Sequence, residues 1–289
     1  MQKSITATVK TLALATAAPV VVNLASATTI FDHAPLTPLA GVNTAAILAL
    51  DDAYTVAQSG NDNVLVVVYG GRGDGGVPTD ATFGGVTMTP AKAFTQVESS
   101  LSATTAIYYL PQEDFEAGFT TTAQDLTITR PGGDDGYVVG LFTLSGVDQT
   151  DPIGVTDGIG STADGGRLDL ALSGLKTDGS LVVTVSSSNY QGSNNIFDNV
   201  GTKLFENISG HNNRASAGIT FPDEASETIS YDYAIVSGGR GALIGVEFNN
   251  IIPEPSTFGL LALAGLGMVH RRRRSSACPA SQARVQATA

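Results

Sequence analysis

Between residues 61 and 248 the apolar positions come in short bursts rich in Val, Ile and Leu, separated by Gly, Asp, Asn, Ser and Pro. Brief β-branched runs bounded by turn residues read as strands. The pattern predicts strands at residues 64–69, 86–89, 106–110, 126–129, 137–144, 168–172, 181–186, 217–221, 229–236 and 243–248. Turn chemistry falls at Gly70-Gly71, Pro131-Gly132-Gly133, Asp178-Gly179 and Gly238-Gly239, because Gly reaches positive φ without strain and Pro presets its own. Helical spacing is confined to residues 41–53 and 90–100, each predicted as a short helix. About ten short strands with so little helix predict an all-β fold, a jelly-roll-like β-sandwich. Residues 28–60 form a lead-in that adds an edge strand, and residues 61–248 form the sandwich domain.

The two ends follow a different pattern. Residues 1–27 carry Lys3 and Lys10, then a small and apolar stretch over 11–24 interrupted by Pro19, then Ala25-Ser26-Ala27. That is the layout of a cleavable signal peptide, with Ala25 and Ala27 marking the cleavage site. Near the other end stand Pro253-Glu254-Pro255, an apolar run over 258–269, and Arg271, Arg272, Arg273 and Arg274. About 12 apolar residues make roughly 18 Å of helix, short for a permanent anchor in a hydrocarbon core about 30 Å thick. The arginines hold their end on the cytoplasmic side, because translocating them is costly.

This order of tripeptide, apolar run and basic block resembles the PEP-CTERM sorting signal of bacterial exported proteins, which exosortases process. The resemblance covers residues 249–274, and the chain adds a polar tail over 275–289 where family members usually stop. It implies that Pro253, Glu254 and Pro255 are recognised and that a single hydrophobic sorting helix over 258–269 is inserted. It also implies that Arg271–Arg274 set the orientation and that cleavage falls close to the tripeptide. The expected route is export through a secretion translocon, transient inner-membrane anchoring, exosortase-type processing, and delivery to the cell surface or extracellular matrix.

A second resemblance covers residues 61–248. Phe83-Gly84-Gly85-Val86-Thr87-Met88, then Ala106-Ile107-Tyr108-Tyr109-Leu110, then Leu144-Ser145-Gly146-Val147-Asp148-Gln149-Thr150-Asp151-Pro152, and finally Gly245-Val246-Glu247-Phe248 follow one another. Together they resemble a jelly-roll module of bacterial surface and phage-associated proteins. Such modules act as structural or binding units. The last strand runs almost directly into the sorting signal, with no linker between them.

Processing changes the charge. Seven of the 15 basic residues (Lys3, Lys10, Arg271–Arg274 and Arg284) lie in the two ends, leaving 8 against 27 acidic residues, a net charge of −19. That field excludes nucleic acid and anionic lipid as partners of the exported body and suits a hydrated polysaccharide gel. The single cysteine, Cys278, lies beyond the sorting signal, so the body holds no disulfide or thiolate.

Catalytic constellations are sparse. His33 and His211 stand without a Gly-x-Ser-x-Gly elbow or a His-Glu-x-x-His zinc motif. Gly70–Gly76 lacks the Gly-Lys-Ser/Thr ending of a phosphate loop, and its Arg-Gly-Asp reads as a hairpin loop. Paired carboxylates occur at Glu113-Asp114, Glu116, Asp134-Asp135 and Asp223-Glu224. A glycosidase needs two carboxylates facing across a cleft, so the rival to a structural role is a polysaccharide-acting hydrolase using Glu113, Glu116 or Asp135. Weak calcium is the other use of these acids, at Asp134 and Asp135 in a glycine-loosened loop or along residues 157–164. The reading as a whole is an exported, non-catalytic structural or adhesive protein of the surface or exopolysaccharide matrix, with no cofactor beyond weak calcium.

Overall fold

The computed structural model describes residues 30–31, 38–43, 45–56, 62–73, 76–98, 101–116, 118–132, 134–162, 166–188, 196–198, 201–208, 213–233 and 240–251. The strands are β1 (Ile30–Phe31), β2 (Leu39–Asn43), β3 (Ile47–Tyr54), β4 (Val64–Gly73), β5 (Asp80–Phe83) and β6 (Val86–Thr87). Next come β7 (Thr89–Glu98), β8 (Leu101–Pro111), β9 (Gln124–Thr129), β10 (Asp134–Ser145), β11 (Ile153–Ser161) and β12 (Gly166–Ser173). The last are β13 (Leu181–Ser188), β14 (Ile196–Asp198), β15 (Thr202–Ile208), β16 (Arg214–Thr220), β17 (Ser226–Tyr233) and β18 (Gly241–Phe248). One short 3-10 turn, Gln112–Asp114, follows β8. Among the described residues no helix is long and apolar enough to cross a membrane; the 258–269 run lies outside them.

The strands form four antiparallel sheets stacked face to face. The first central sheet runs β1-β10-β4-β8-β7, with β2 also on β10, and the second runs β11-β18-β13-β16-β15. Val64, Val66, Val68, Phe142 and Leu144 of the first sheet interdigitate with Leu181, Val183, Val185, Ala217, Ile244 and Phe248 of the second. An outer sheet, β3-β9-β5-β6, covers the other face of the first, enclosing Leu65, Val67, Tyr69, Tyr108, Phe83 and Ile128. A second outer sheet, β12-β17-β14, covers the second one over Leu168, Leu170, Leu172, Val182, Ile229, Tyr231 and Leu243. The result is a β-sandwich whose two inner sheets are buried on both faces.

That layering explains the sequence pattern. An antiparallel strand with one wet face alternates, as β12 does, with every second residue buried. β13 and β18 are buried at every position and β4 at nearly every one, so they read as continuous apolar or small-residue runs. Each of the ten strands expected from the sequence overlaps one of these elements, with Met88 and Phe221 left outside them and residues 234–236 outside the described residues.

The two expected helices are strands. Residues 41–53 hold most of β3 and the end of β2, and residues 90–100 fall largely in β7. In β3 the pairing with β9 slips between Leu50 and Tyr54, and Asp52 takes φ 49°. The slip spoils the strict alternation and imitates a helical spacing. β7 is an edge strand, half-buried along residues 91–96, so its apolar residues show no two-residue period either.

Glycine roles also change. Gly70 and Gly71 do not turn the chain: β4 continues through them to Gly73. A Cβ on Gly70 would stand 2.4 Å from the Ala215 Cβ, so its absence lets the central sheets close. The same correction removes the hairpin-loop reading of Arg72 and Gly73, which lie within β4. By contrast Gly84 and Gly85, at φ 57° and 86°, form the two-residue turn joining Phe83 to Val86, where both central residues need positive φ.

Candidate functional site at the C-terminal exit

The residues expected to direct sorting, Pro253, Glu254, Pro255 and Arg271, Arg272, Arg273 and Arg274, lie outside the described residues, as do Ala25, Ala27, His33 and His211. What the structure describes is the end of the body from which the sorting segment departs. β18 reaches that end as an inner strand, paired with β11 on one side and β13 on the other. Its final residues carry a dense set of polar contacts.

Glu247 is 1% exposed. Pairing of β11 with β18 slips between Ile153 and Thr156, a bulge that frees backbone groups from the ladder. The Glu247 carboxylate fills it: Oε2 accepts from Val155 N at 3.0 Å, and Oε1 accepts from Lys176 N at 2.6 Å and Ser180 Oγ at 2.8 Å. This acid is therefore a strut joining β18, β11 and the β12–β13 connection, and three donors offset the cost of its burial.

Beyond β18 the chain stays fastened. Asn249 N donates to Pro152 O at 3.0 Å, its side-chain amide to Asp151 O at 2.7 Å, and its carbonyl accepts from Asp148 N at 2.9 Å. Asn250 forms a bridge with Val147 and donates from its side chain to Asp178 O. Ile251 N donates to Gly146 O at 3.0 Å. The receiving segment is the Ser145–Pro152 stretch that stood out in the sequence. It is itself braced: Asp148 Oδ1 accepts from Thr150 Oγ1 at 2.7 Å, Thr150 N at 2.8 Å and Asp151 N at 3.2 Å. Those bonds, the Thr150 hydroxyl first, hold the Asp148 carboxyl below the usual carboxylate range.

Beside this bracket Asp62, Gln112, Glu113 and Gln149 line a depression of about 410 Å³. Gln149 Oε1 accepts from Gln112 N at 2.9 Å, and Gln112 Oε1 accepts from Asn63 N at 2.8 Å. Of the carboxylates singled out from sequence, Glu113 reaches the depression, whereas Glu116 is exposed and does not line it. Asp223 and Glu224 lie in the β16–β17 turn, where Glu227 joins them; burial, then the two neighbouring charges, push the Glu227 carboxyl up. Asp134 and Asp135 are not in a loop: β10 begins at Asp134, which pairs with Gly73, and the register slips before Gly136. Residues 157–161 likewise belong to β11. There Gly158 and Gly160 are seats for Phe94 of β7, 3.4 Å and 2.7 Å from where a Cβ would stand. Among the described residues no three acidic, histidine or cysteine side chains gather at one point.

The bracket at Asn249 and Asn250 had no sequence signal of its own, since two asparagines after a strand are ordinary turn residues. Glu247 was one signal in principle, an acid inside an otherwise apolar run.

A family model for the PEP-CTERM protein-sorting motif matches residues 252–274. Neither a curated protein nor a solved structure matches the chain. The chain thus carries a PEP-CTERM motif directly after the last described residue, and is an exported protein, transiently anchored in a membrane and subject to exosortase-type processing.

Proposed function

We propose that the exported body is a non-catalytic structural or adhesive element of the cell surface or exopolysaccharide matrix. It reaches the translocon by a signal peptide cleaved after Ala27. The observation that supports this reading is the four-layer stack itself. Most of its large apolar groups are used in three internal cores, with Ile47, Val77, Val97 and Phe221 left exposed, and acids such as Asp51, Glu113, Asp125, Asp157, Asp178 and Glu224 stand exposed. A rigid, hydrated, anionic block of this kind suits a gel in which it must stay folded and soluble. Weak calcium at Asp134 and Asp135 would cross-link such a surface to anionic polysaccharide.

The test is co-sedimentation of the processed protein with purified exopolysaccharide, with calcium and with a chelator. Retention in the polysaccharide fraction supports the reading, and a protein left wholly in solution under both conditions refutes it. A second reading, a polysaccharide hydrolase, draws on the depression lined by Asp62 and Glu113. Release of reducing ends in the same incubation, abolished by Glu113→Gln, would favour it.

A further inference from the structure

The bracket after β18 and the sorting motif are almost contiguous. Ile251 is hydrogen-bonded to Gly146, and the family match begins at residue 252. Pro253 therefore follows Ile251 with one residue between. A chain covers at most about 3.3–3.6 Å per residue, so Pro253 stays within roughly 7 Å of Ile251 and Pro255 within roughly 14 Å.

Enzymes that grip an extended peptide bind its backbone N–H and C=O groups on either side of the reacting bond, as an added strand does. For a cut close to Pro253–Pro255, the residues just upstream of Ile252 are Asn249, Asn250 and Ile251. Their polar groups are already engaged: Asn249 N and O with Pro152 and Asp148, the Asn250 side chain with Asp178, and Ile251 N with Gly146. Asn249 and Asn250 are 1% and 3% exposed. One set of backbone groups cannot serve both partners.

We propose that the body competes with the processing enzyme for Asn249–Ile251, so that the folded precursor is processed only through a state in which this bracket has opened. This rests on the processing reading above. The hydrogen bonds involved lie beyond Phe248 and reach the 146–152 segment and Asp178. The observed processing rate is then the rate for the open form reduced by its population.

The experiment is pulse-chase of the full precursor in cells that process it, with four chains compared. They are the wild type, an insertion of six Gly/Ser residues between Ile251 and Ile252, Asn250→Ala, and Pro253→Ala/Glu254→Ala/Pro255→Ala. The insertion supplies free backbone upstream of the tripeptide while leaving every bracket contact in place. It should speed release on the order of tenfold, the change expected from removing about 1.4 kcal/mol of opening cost, with no shift in the melting temperature of the body. Asn250→Ala should speed release in the same direction. Equal or slower release of the insertion chain overturns the inference while leaving the processing reading intact. A wild type that is released no faster than the triple-alanine chain overturns the processing reading, and this inference falls with it.

Discussion

Gly154 and Glu247 leave no room for a side chain between them: a Cβ on Gly154 would stand 2.3 Å from Glu247 Oε2 and 2.7 Å from Asn249 Oδ1. The bulge in β11, the buried acid of β18 and the first residue of the C-terminal bracket therefore form one packed unit. Glu247→Ala strands the Val155 and Lys176 amides, while the Ser180 hydroxyl keeps the Lys176 carbonyl as acceptor, and should cost about 2 kcal/mol or more at about 1–3 kcal/mol per stranded group. Gly154→Ala overpacks the same point and should cost about 1–3 kcal/mol. Urea unfolding of both variants checks this; midpoints equal to the wild type would remove the strut.

The two inner sheets approach closely where Gly70 faces Ala215. Gly70→Ala should destabilise by about 1–3 kcal/mol, and adding Ala215→Gly should restore part of the loss, because the second change reopens the space. A double-mutant cycle reads the coupling. Strictly additive effects would mean that the sheets do not depend on this contact.

Glu227 has its carboxyl pushed up by burial and by Asp223 and Glu224. The folded state then holds the proton more readily than the unfolded chain, so stability falls as pH rises through the window from about 4.3 to the higher folded value. Glu227→Gln removes that loss. Its midpoint should exceed the wild type near neutrality and match it in acid below both values. Equal midpoints at every pH would rule this out.

Asp148 acts in the opposite sense. Its folded carboxyl lies below the ordinary range, so its contribution is present above about 3.9 and lost as pH falls through the lower folded value. Asp148→Asn should lower stability near neutrality and narrow its gap to the wild type in acid, read from unfolding midpoints across that range.

Tyr231 is fully buried beside Ser186 and Ser188, and burial pushes its hydroxyl up to about 12. Its contribution is complete below about 10 and is lost as pH rises from there through the folded value. Tyr231→Phe should therefore flatten the loss of stability in alkali. An unchanged alkaline limb would show that another group governs it.

Replacing Pro253, Glu254 and Pro255 with alanine should leave an unprocessed, membrane-held precursor, and replacing Arg271–Arg274 with neutral residues should misorient the tail. Fractionation with intact-mass measurement distinguishes these outcomes. Normal release of the tripeptide variant would show that the tripeptide is not what is recognised.

The stretches legible in the sequence are those whose cause is local. Val64–Val68 and the other continuous β-branched runs announce strands because the residues themselves disfavour helix and are buried on both faces. The Pro-Glu-Pro, apolar and Arg series is likewise written in consecutive residues. β3 and β7 were not legible, because a register slip in one and an edge position in the other break the two-residue period that marks a strand.

The chain by itself determined the continuous β-branched strands and the sorting signal, since each depends on neighbours a few positions apart. The tertiary structure alone decided that Gly70 admits Ala215, that Glu247 fills the bulge at Val155, and that Asn249–Ile251 close on the 146–152 segment. Those roles belong to pairs about a hundred positions or more apart, and burial and hydrogen bonding between such pairs exist only once the four sheets have stacked.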